Sequence, residues 1–408
     1  MESDRLFGMK VTNGRWIYVI LCMIINLCLG SVYSYSVFKG PLEDLWGITS
    51  TQSNFPFMIF LAFFAILMPF AGKFIDKFGP RNIMITGGAI VGIGWILSSF
   101  ATNIWLITLT YGVIAGAGVG IAYGGPIAVA TKWFPDKKGL AVGLALTGFG
   151  LSAFVTSPIA RNLINEFGPL QTFGYKGIAF LIISIILSIP MKFPDKKTAL
   201  ILDTNYTKIK TGNEKSISVR EMFRNPKAYA LWICYTFGTT SGLMAIGISS
   251  PVARDTIGMT ADKAAALVAL FAVFNGVGRP LFGWLTDKIT PKNASILSFV
   301  LILSASIGMM NAKEGSTIIY ISAFIAFWLC LGGWLAIAPT ATASFFGMEN
   351  YAEKYGIMYS AYGVGAIVGG IISGQAKDVF GCYTYSFMPI AIIAIIGILI
   401  SVMFLKNK

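Results

Sequence analysis

The chain has no histidine and few charged residues: Asp, Glu, Lys and Arg make up only 12% of its 408 residues. Soluble globular proteins carry about 25% charged residues, so too few polar groups remain here to cover a water-facing surface. The lack of histidine removes the commonest metal ligand and general base at once. These shortages exclude a soluble enzyme, a disordered protein and a secreted disulfide scaffold.

Cysteine is also scarce, and its placement indicates no chemistry. The five cysteines lie in or at the ends of apolar segments, without the spacing of a metal motif or a disulfide framework; they are Cys22, Cys28, Cys234, Cys330 and Cys382. We therefore expect small core residues here, with no cofactor and no metal.

Apolar residues are abundant, at 55% of the chain, and mean hydropathy is +0.72. At about 20 apolar residues per span, the sequence predicts an all-α membrane protein with twelve transmembrane helices. The first apolar segment follows a polar N-terminal stretch, is long and has no signal-peptidase cleavage site. It is therefore predicted to be a membrane helix and not a signal peptide. The predicted spans are roughly 15–37, 54–75, 82–101, 105–128, 139–162, 173–191, 228–252, 263–285, 294–311, 316–340, 355–374 and 383–405.

Basic residues outnumber acidic ones by 31 to 18. With the N-terminus inside, most of the basic residues fall in the cytoplasmic segments, which is the positive-inside pattern. This pattern sets the orientation, places both termini in the cytoplasm and indicates no nucleic-acid partner. We expect a multi-pass protein of the cell membrane that is surrounded by lipid and is a monomer.

A basic, polar stretch at 193–227 divides the apolar pattern into two halves. It predicts a cytoplasmic linker between two six-helix bundles, 1–192 and 228–408. The loop after predicted span 2, Gly72–Arg81 (GKFIDKFGPR), has a counterpart after span 8, Gly283–Lys292 (GWLTDKITPK). Two parallel six-helix repeats are a transporter architecture with the substrate site at midplane between the halves.

The paired loops predict a conformational latch on the cytoplasmic side. Their fixed charges can meet helix ends or oppositely charged neighbours, while the glycines allow close helix approach. The alternative interpretation is a turn with basic anchors at the membrane surface. The predicted latch residues are Gly72, Asp76, Lys77, Arg81, Gly283, Asp287 and Lys288.

The loop after span 2 resembles the signature of the major facilitator superfamily. More narrowly, the glycine-rich run Gly116–Gly124, the segment Trp133–Leu140 and the stretch Asn275–Pro280 resemble the oxalate:formate antiporter family. The resemblance implies a major facilitator fold that moves small organic anions by alternating access. Oxalate-handling members pair the arginine of helix 8 with a lysine on helix 11, a position that is Tyr362 here. They also carry a tyrosine where this chain has Phe149.

Arg279 is the one ionisable residue that the sequence places well inside a span. It precedes Asp287 by eight residues, which puts it about 12 Å from the helix end in a hydrocarbon core about 30 Å thick. A central arginine costs at least about 2.5–3.5 kcal/mol, and no acidic residue lies in any predicted span. The planar guanidinium group can donate two parallel hydrogen bonds to the two oxygens of a carboxylate. We therefore predict that Arg279 binds the transported anion. The alternative is a structural arginine bonded to helix-end carbonyls.

Several polar or aromatic residues complete the predicted binding site. Asn275 lies one turn before Arg279 on the same helix face. Tyrosine hydroxyls can donate to a carboxylate while their rings exclude water; the alternative for each aromatic is lipid-facing packing or a role as an interfacial anchor. The candidates besides Arg279 are Asn275, Tyr123, Tyr33, Tyr35, Trp334, Tyr359 and Tyr362.

One fixed cation favours a monocarboxylate such as formate, lactate or pyruvate over oxalate. With no titratable Asp, Glu or His in the spans, exchange of one anion for another is favoured over proton symport, which remains the alternative.

Two classes of protein other than transporters are a receptor on the same scaffold and a membrane-embedded enzyme. The short tails disfavour the receptor, and the missing base disfavours the enzyme.

Overall fold

The computed structural model describes residues 5–134, 138–195, 198, 202, 217–347 and 351–405, the side chains of residues 5, 71–73, 76, 138–140 and 351–352 excepted. A two-stranded antiparallel ribbon, β1 (Arg5–Leu6) and β2 (Met9–Lys10), precedes the helices. The α-helices are α1 (Val11–Leu29), α2 (Ser36–Trp46), α3 (Ser50–Ser98), α4 (Ile104–Ile107), α5 (Gly116–Trp133), α6 (Lys138–Ser188), α7 (Val219–Arg224), α8 (Pro226–Asp255), α9 (Ala261–Met310), α10 (Thr317–Phe346), α11 (Tyr351–Phe380) and α12 (Phe387–Phe404).

Short non-α segments join several of these helices. A 3₁₀ turn, Gly30–Ser34, connects α1 to α2, and a π-helical stretch, Thr108–Ala115, connects α4 to α5. A second 3₁₀ turn, Tyr383–Ser386, precedes α12. The segments from α1 to α2 and from α4 to α5 are therefore continuous helical rods whose pitch changes partway along.

Three long helices bend where a residue with positive φ precedes a proline. The bends lie at Gly79 in α3, Gly168 in α6 and Thr290 in α9, followed by Pro80, Pro169 and Pro291. Proline has no N–H to donate and its fixed φ suits the first turn of a helix, and each bend lies between the end of one predicted span and the start of the next.

Ten helical stretches of the described chain are long and apolar enough to cross a membrane. Two of them, Ala141–Ser188 and Ala261–Met310, have 48 and 50 residues. At 1.5 Å per residue either is long enough to cross a core of about 30 Å twice, and both contain one of the bends. The predicted all-α membrane fold is confirmed, and the helices accommodate the twelve predicted spans.

Glycines recur at every fourth position along the π-helical stretch and α5, at Gly112, Gly116, Gly120 and Gly124, and they pack closely against α3. A Cβ on Gly116 would lie 2.5 Å from the Phe60 carbonyl oxygen, and one on Gly120 would lie 2.9 Å from the Phe64 carbonyl oxygen. Only a residue without a side chain permits this approach of two backbones. Close packing is what the glycine spacing predicts.

Two helix pairs join the first half of the sequence to the second. Helix α3 packs along α11, where a Cβ on Gly363 would lie 2.9 Å from the Ala65 Cβ. Helix α6 crosses α9, where a Cβ on Gly150 would lie 3.0 Å from the Gly276 Cα. These pairs bring residues more than a hundred positions apart into contact and frame the candidate site.

Both pairs are tied together at their predicted extracellular ends. The two Asp378 carboxylate oxygens accept hydrogen bonds from the backbone N–H groups of Ser50 and Thr51, at 2.9 and 3.0 Å. In the other pair, Arg161 forms an ion pair with Asp262 at 2.9 Å. We call these two contacts the outer ties.

The predicted linker lies largely outside the described residues, which omit 196–197, 199–201 and 203–216. Its last part docks on the second half: the Ile217 N–H donates to the Phe346 carbonyl at 3.2 Å, and α7 begins with a capping box formed by Ser218 and Glu221. The division into 1–192, 193–227 and 228–408 stays a prediction.

Candidate functional site

Arg279 lies on α9 at the crossing with α6 and is only 8% exposed. Its Nη1 donates to the Leu146 carbonyl oxygen of α6 at 2.8 Å. Among the described residues, its Nε and Nη2 have no hydrogen-bond partner. The arginine is thus bonded to the carbonyl of a residue inside α6 and not to a helix-end carbonyl, and two of its donor nitrogens have no partner among the described residues.

Tyrosines from both halves of the sequence surround the guanidinium. The electrostatic neighbours of Arg279 are Tyr123, Tyr33, Tyr359 and Tyr362, and we call these five residues the Arg279 cluster. The hydroxyls of Tyr33 and Tyr123 lie beside the guanidinium without meeting the geometry of a hydrogen bond. The structure therefore brings together four of the predicted aromatic residues and the predicted arginine.

A hydrogen bond within the cluster links the two halves directly. The hydroxyl oxygens of Tyr33 and Tyr362 are 2.7 Å apart, and both side chains are fully buried. Tyr33 belongs to the 3₁₀ turn after α1, and Tyr362 lies on α11. Because either hydroxyl can donate, one of them keeps an O–H free to rotate toward a ligand.

Phenylalanines form the apolar wall of the cluster. The Phe64 ring lies 5.0 Å from that of Tyr123 and 6.0 Å from that of Tyr362, centroid to centroid. The Phe149 ring lies 5.2 Å from that of Tyr33, and the Arg279 guanidinium carbon is 5.9 Å from the Phe149 centroid. Phe64 was not among the predicted site residues, and nothing in the apolar run of α3 distinguishes it.

Asn275 lies one turn before Arg279 and is fully buried. Its Nδ2 donates to the Trp328 carbonyl at 3.2 Å, while its Oδ1 has no partner among the described residues. The Trp328 ring in turn lies 6.2 Å from the Tyr33 ring. Asn275 and Trp328 therefore adjoin the cluster, and Trp328 is a second neighbour that the sequence did not indicate.

Two predicted aromatics lie away from Arg279. The Tyr35 hydroxyl donates to the Ser53 carbonyl at 2.8 Å, and its ring stacks on that of Tyr111 at 5.3 Å. Trp334 stacks on Tyr235 at 6.2 Å, and its Nε1 has no partner among the described residues. Tyr35 belongs to the packing of the first half, and Tyr235 lies between Trp334 and Tyr359.

The predicted latch is described only in part. The side chains of Gly72 and Asp76 lie outside the described residues. Lys77, Arg81, Asp287 and Lys288 are exposed, and the two lysines lie over the rings of Phe78 and Trp284 at 5.3 and 5.6 Å. A Cβ on Gly283 would lie 3.8 Å from that of Ala336. The latch role stays a prediction.

All buried charged side chains among the described residues are basic: Arg15, Lys39, Lys176, Arg279 and Lys354. The expectation that Arg279 is the one ionisable residue well inside a span stays a prediction, since the other four lie near or beyond the ends of the predicted spans. Lys176 of α6 is 4% exposed and falls within the predicted sixth span, three residues from its predicted outer end.

Comparison with known proteins identifies the family of the chain. The family model of the Major Facilitator Superfamily matches residues 19–328 and 231–408. The chain is 29% identical over 398 residues to the oxalate:formate antiporter of Oxalobacter formigenes, covering 97% of this chain and 91% of the relative. It is 25% identical over 326 residues to monocarboxylate transporter 13 of Rattus norvegicus, covering 78% and 72% of the two chains.

A solved structure shares the fold: a bacterial homolog of the human lysosomal transporter Spinster matches with a TM-score of 0.71 at 17% identity, covering 97% of this chain and 98% of that one. The family predicted from the loop motifs is confirmed, and the relatives are transporters rather than enzymes. The chain is a multi-pass membrane transporter that belongs to the Major Facilitator Superfamily and resembles the oxalate:formate antiporter.

Proposed function

We propose that this protein exchanges small monocarboxylate anions across the membrane by alternating access, with Arg279 as the residue that binds the carboxylate. The observation that carries the proposal is the state of the guanidinium, which is buried with Nε and Nη2 unpartnered among the described residues. Two donors at adjacent nitrogens match the two oxygens of one carboxylate.

The charge balance of the site favours an anion as cargo. A buried arginine costs at least about 2.5–3.5 kcal/mol in a membrane helix, and no acidic side chain is buried among the described residues. A bound carboxylate supplies the missing negative charge. A cationic cargo would be repelled by the same guanidinium.

The neighbours of Arg279 favour one negative charge rather than two. Tyr362, which stands where oxalate-handling relatives are expected to have a lysine, contributes a hydroxyl that bonds to Tyr33. Hydroxyls can donate to a carboxylate without adding charge, so one fixed cation meets one anionic group. The similarity to a monocarboxylate transporter and to an oxalate:formate antiporter supports the same substrate class.

Proton-coupled monocarboxylate symport is the second candidate. The buried amine of Lys176 lies within the predicted sixth span, although the predicted spans hold no Asp, Glu or His. Exchange is favoured by that lack and by the similarity to an antiporter over nearly the whole chain. In either mode, we propose that the bundles 1–192 and 228–408 rock about the α3–α11 and α6–α9 contacts, with the paired loops as latches.

The test uses purified full-length protein in liposomes preloaded with formate or lactate. Exchange predicts that internal carboxylate accelerates uptake of labelled formate and that no pH gradient is needed. Uptake that requires an imposed pH gradient and gains nothing from internal anion contradicts exchange and supports symport.

The role of Arg279 is tested in the same liposomes. Arg279→Gln removes the charge and should abolish carboxylate uptake, while Arg220→Gln, which changes an exposed arginine in α7, should leave uptake unchanged. Undiminished uptake by a folded Arg279→Gln protein would rule out the proposed binding residue.

A further inference from the structure

The 3₁₀ turn Gly30–Ser34, here called the Tyr33 turn, carries a residue of the Arg279 cluster on a segment that is not α-helical. All five of its residues are buried. A 3₁₀ turn has 3.0 residues per turn rather than 3.6, so its conformation decides the direction in which the Tyr33 side chain points. Anything that holds the turn therefore also sets the position of the Tyr33 hydroxyl.

One side of the turn is held by the middle of α6. The Ser152 hydroxyl donates to the Gly30 carbonyl oxygen. A Cβ on Gly30 would lie 2.5 Å from the Phe149 carbonyl oxygen, so only glycine allows the turn to approach α6 this closely. This contact holds the first residue of the turn.

The other side of the turn is held by Lys176, from the part of α6 that follows its bend. The Lys176 Nζ donates to the Ser34 Oγ at 3.2 Å, and Ser34 donates to the Ser31 carbonyl at 2.7 Å. An ammonium group has donors and no acceptor, so the Ser34 oxygen must accept from it. The Ser34 hydroxyl proton is thereby directed to the Ser31 carbonyl within the turn.

The rest of the Lys176 environment does not explain why a charge is buried there. Its Nζ lies 4.6 Å from the Trp95 ring centroid, 5.3 Å from that of Phe38 and 5.7 Å from that of Phe180. No described acidic side chain forms an ion pair with it. Aromatic faces offset part of the cost of desolvating an ammonium group, and its hydrogen bond goes to the Tyr33 turn.

We propose that Lys176 and Ser152 are positioning residues that hold the Tyr33 turn, and through it place the Tyr33 hydroxyl between Tyr362 and Arg279 for binding of the carboxylate. The inference rests on the proposed function, because it concerns the geometry of the same site. In this proposal Lys176, whose Nζ lies near the rings of Phe38, Trp95 and Phe180, acts on the cluster through Ser34 and Tyr33.

The first experiment measures KM and kcat for exchange of labelled formate in proteoliposomes. Lys176→Met keeps the length of the side chain but removes its donors, and Ser34→Ala removes the acceptor. Each should raise KM about tenfold, the effect of one misplaced hydrogen bond to a charged group, with kcat largely kept. Lys176→Arg, which can still donate to Ser34, should restore KM. Lys313→Met, in an exposed loop, is the matched control and should change neither constant.

The decisive arm repeats Lys176→Met in a Tyr33→Phe background. If Lys176 acts through the Tyr33 hydroxyl, its substitution should add little to the KM of Tyr33→Phe, since residues that act in one chain are non-additive. An equal increase of KM in both backgrounds would overturn the proposal. So would a selective loss of dicarboxylate transport in Lys176→Met, because that would make Lys176 a second anion-binding cation.

A second measurement needs no substrate. A fluorotyrosine placed at position 33 reports the surroundings of that hydroxyl by ¹⁹F NMR in the purified full-length protein. Its resonance should move in Lys176→Met, Ser34→Ala and Ser152→Ala and stay in place in Lys313→Met. An unmoved resonance overturns the inference even if carboxylate exchange is observed. A moved resonance with no effect of Arg279→Gln on uptake supports the inference about the turn and contradicts the proposed function instead.

Discussion

Gly79 and Thr290 adopt the same backbone conformation in the two copies of the repeated loop. Gly79 has φ 78° and ψ 158°, and Thr290 has φ 76° and ψ 155°. Each is followed by a proline that begins the next crossing. The sequence repeat after spans 2 and 8 is therefore also a repeat of backbone geometry, although the second copy has threonine where the first has glycine.

This relationship predicts that Thr290→Gly stabilises the protein. The region of φ and ψ occupied by Thr290 is open almost only to glycine, and a side chain there costs about 1–3 kcal/mol. Thermal unfolding in detergent should therefore show a higher midpoint for Thr290→Gly. Thr290→Ala is the control, because it removes the same side-chain atoms beyond Cβ and keeps the strain. An equal rise of the unfolding midpoint in both variants would mean that the threonine side-chain atoms beyond Cβ, and not the backbone conformation, destabilise the protein.

The complementary change at the first copy predicts a loss. Gly79→Ala puts a Cβ on a residue with φ 78° while nothing within 4 Å obstructs it, so the cost is conformational, of the order of 1–3 kcal/mol. The same thermal measurement should show a lower midpoint. Gly143→Ala, at a described helical glycine that also has open space around it, should instead be neutral or stabilising, since alanine favours a helix by about 1 kcal/mol over glycine.

Substrate charge should follow the number of fixed cations in the site. Tyr362→Lys adds a second cation beside Arg279, so competition assays with labelled formate should show a shift of preference toward dicarboxylates such as oxalate. Tyr362→Phe removes only the hydroxyl that bonds to Tyr33; it should weaken formate binding without favouring dicarboxylates. Unchanged selectivity in a functional Tyr362→Lys protein would remove the charge-counting argument for a monocarboxylate.

The two outer ties should differ in strength. Asp378 accepts two backbone hydrogen bonds at the N-terminus of α3, where a carboxylate is favoured by the helix dipole and by bonds worth about 1.5–3 kcal/mol each. The Arg161–Asp262 pair has an Asp262 side chain that is 74% exposed, and exposed pairs contribute about 0–1 kcal/mol. Asp378→Asn should therefore open the predicted extracellular end more often than Asp262→Asn. Distances between spin labels at the outer ends of α3 and α11, and between labels at the outer ends of α6 and α9, check this, and equal opening in the two variants would contradict it.

Lys39 predicts a pH dependence of the same closure. It lies in α2, beyond the span Val11–Ser34, is fully buried and donates to the Ser50 hydroxyl at 3.3 Å. Burial lowers the pKa of Lys39 from 10.5 to about 8. The nearby carboxylates of Glu43, Asp255 and Asp378 act against this and raise the pKa, while the positive charge of Lys377 lowers it slightly further.

The sign of the effect follows from linkage. An exposed Lys39 in an open outer end keeps its higher pKa, so opening takes up a proton between about pH 8 and 10.5 and becomes less favourable as the pH rises through that window. The spin-label distances should show more closed protein at high pH. Lys39→Met should abolish this dependence, whereas Lys313→Met should leave it; a dependence that survives in Lys39→Met would assign it to another group.

Much of the architecture follows from the sequence by itself, because it depends on local properties. Composition and run length determine the membrane environment and the spans, and the asymmetry of basic residues predicts the orientation. Arg279 and Asn275 are four residues apart on one helix, so their shared face follows from helical periodicity alone. The burial of Arg279 was predictable because a charged side chain that faces the lipid near midplane is costly.

The tertiary structure alone decided which side chains meet Arg279. Tyr33 and Tyr35 are two residues apart, yet the 3₁₀ turn places the first in the cluster and the second against Tyr111. Membrane helices are apolar on every face, so no hydrophobic stripe shows which side is turned inward. The inclusion of Phe64 and the burial of Lys176 depend on how helices distant in sequence cross and rotate, and local pattern contains no record of that.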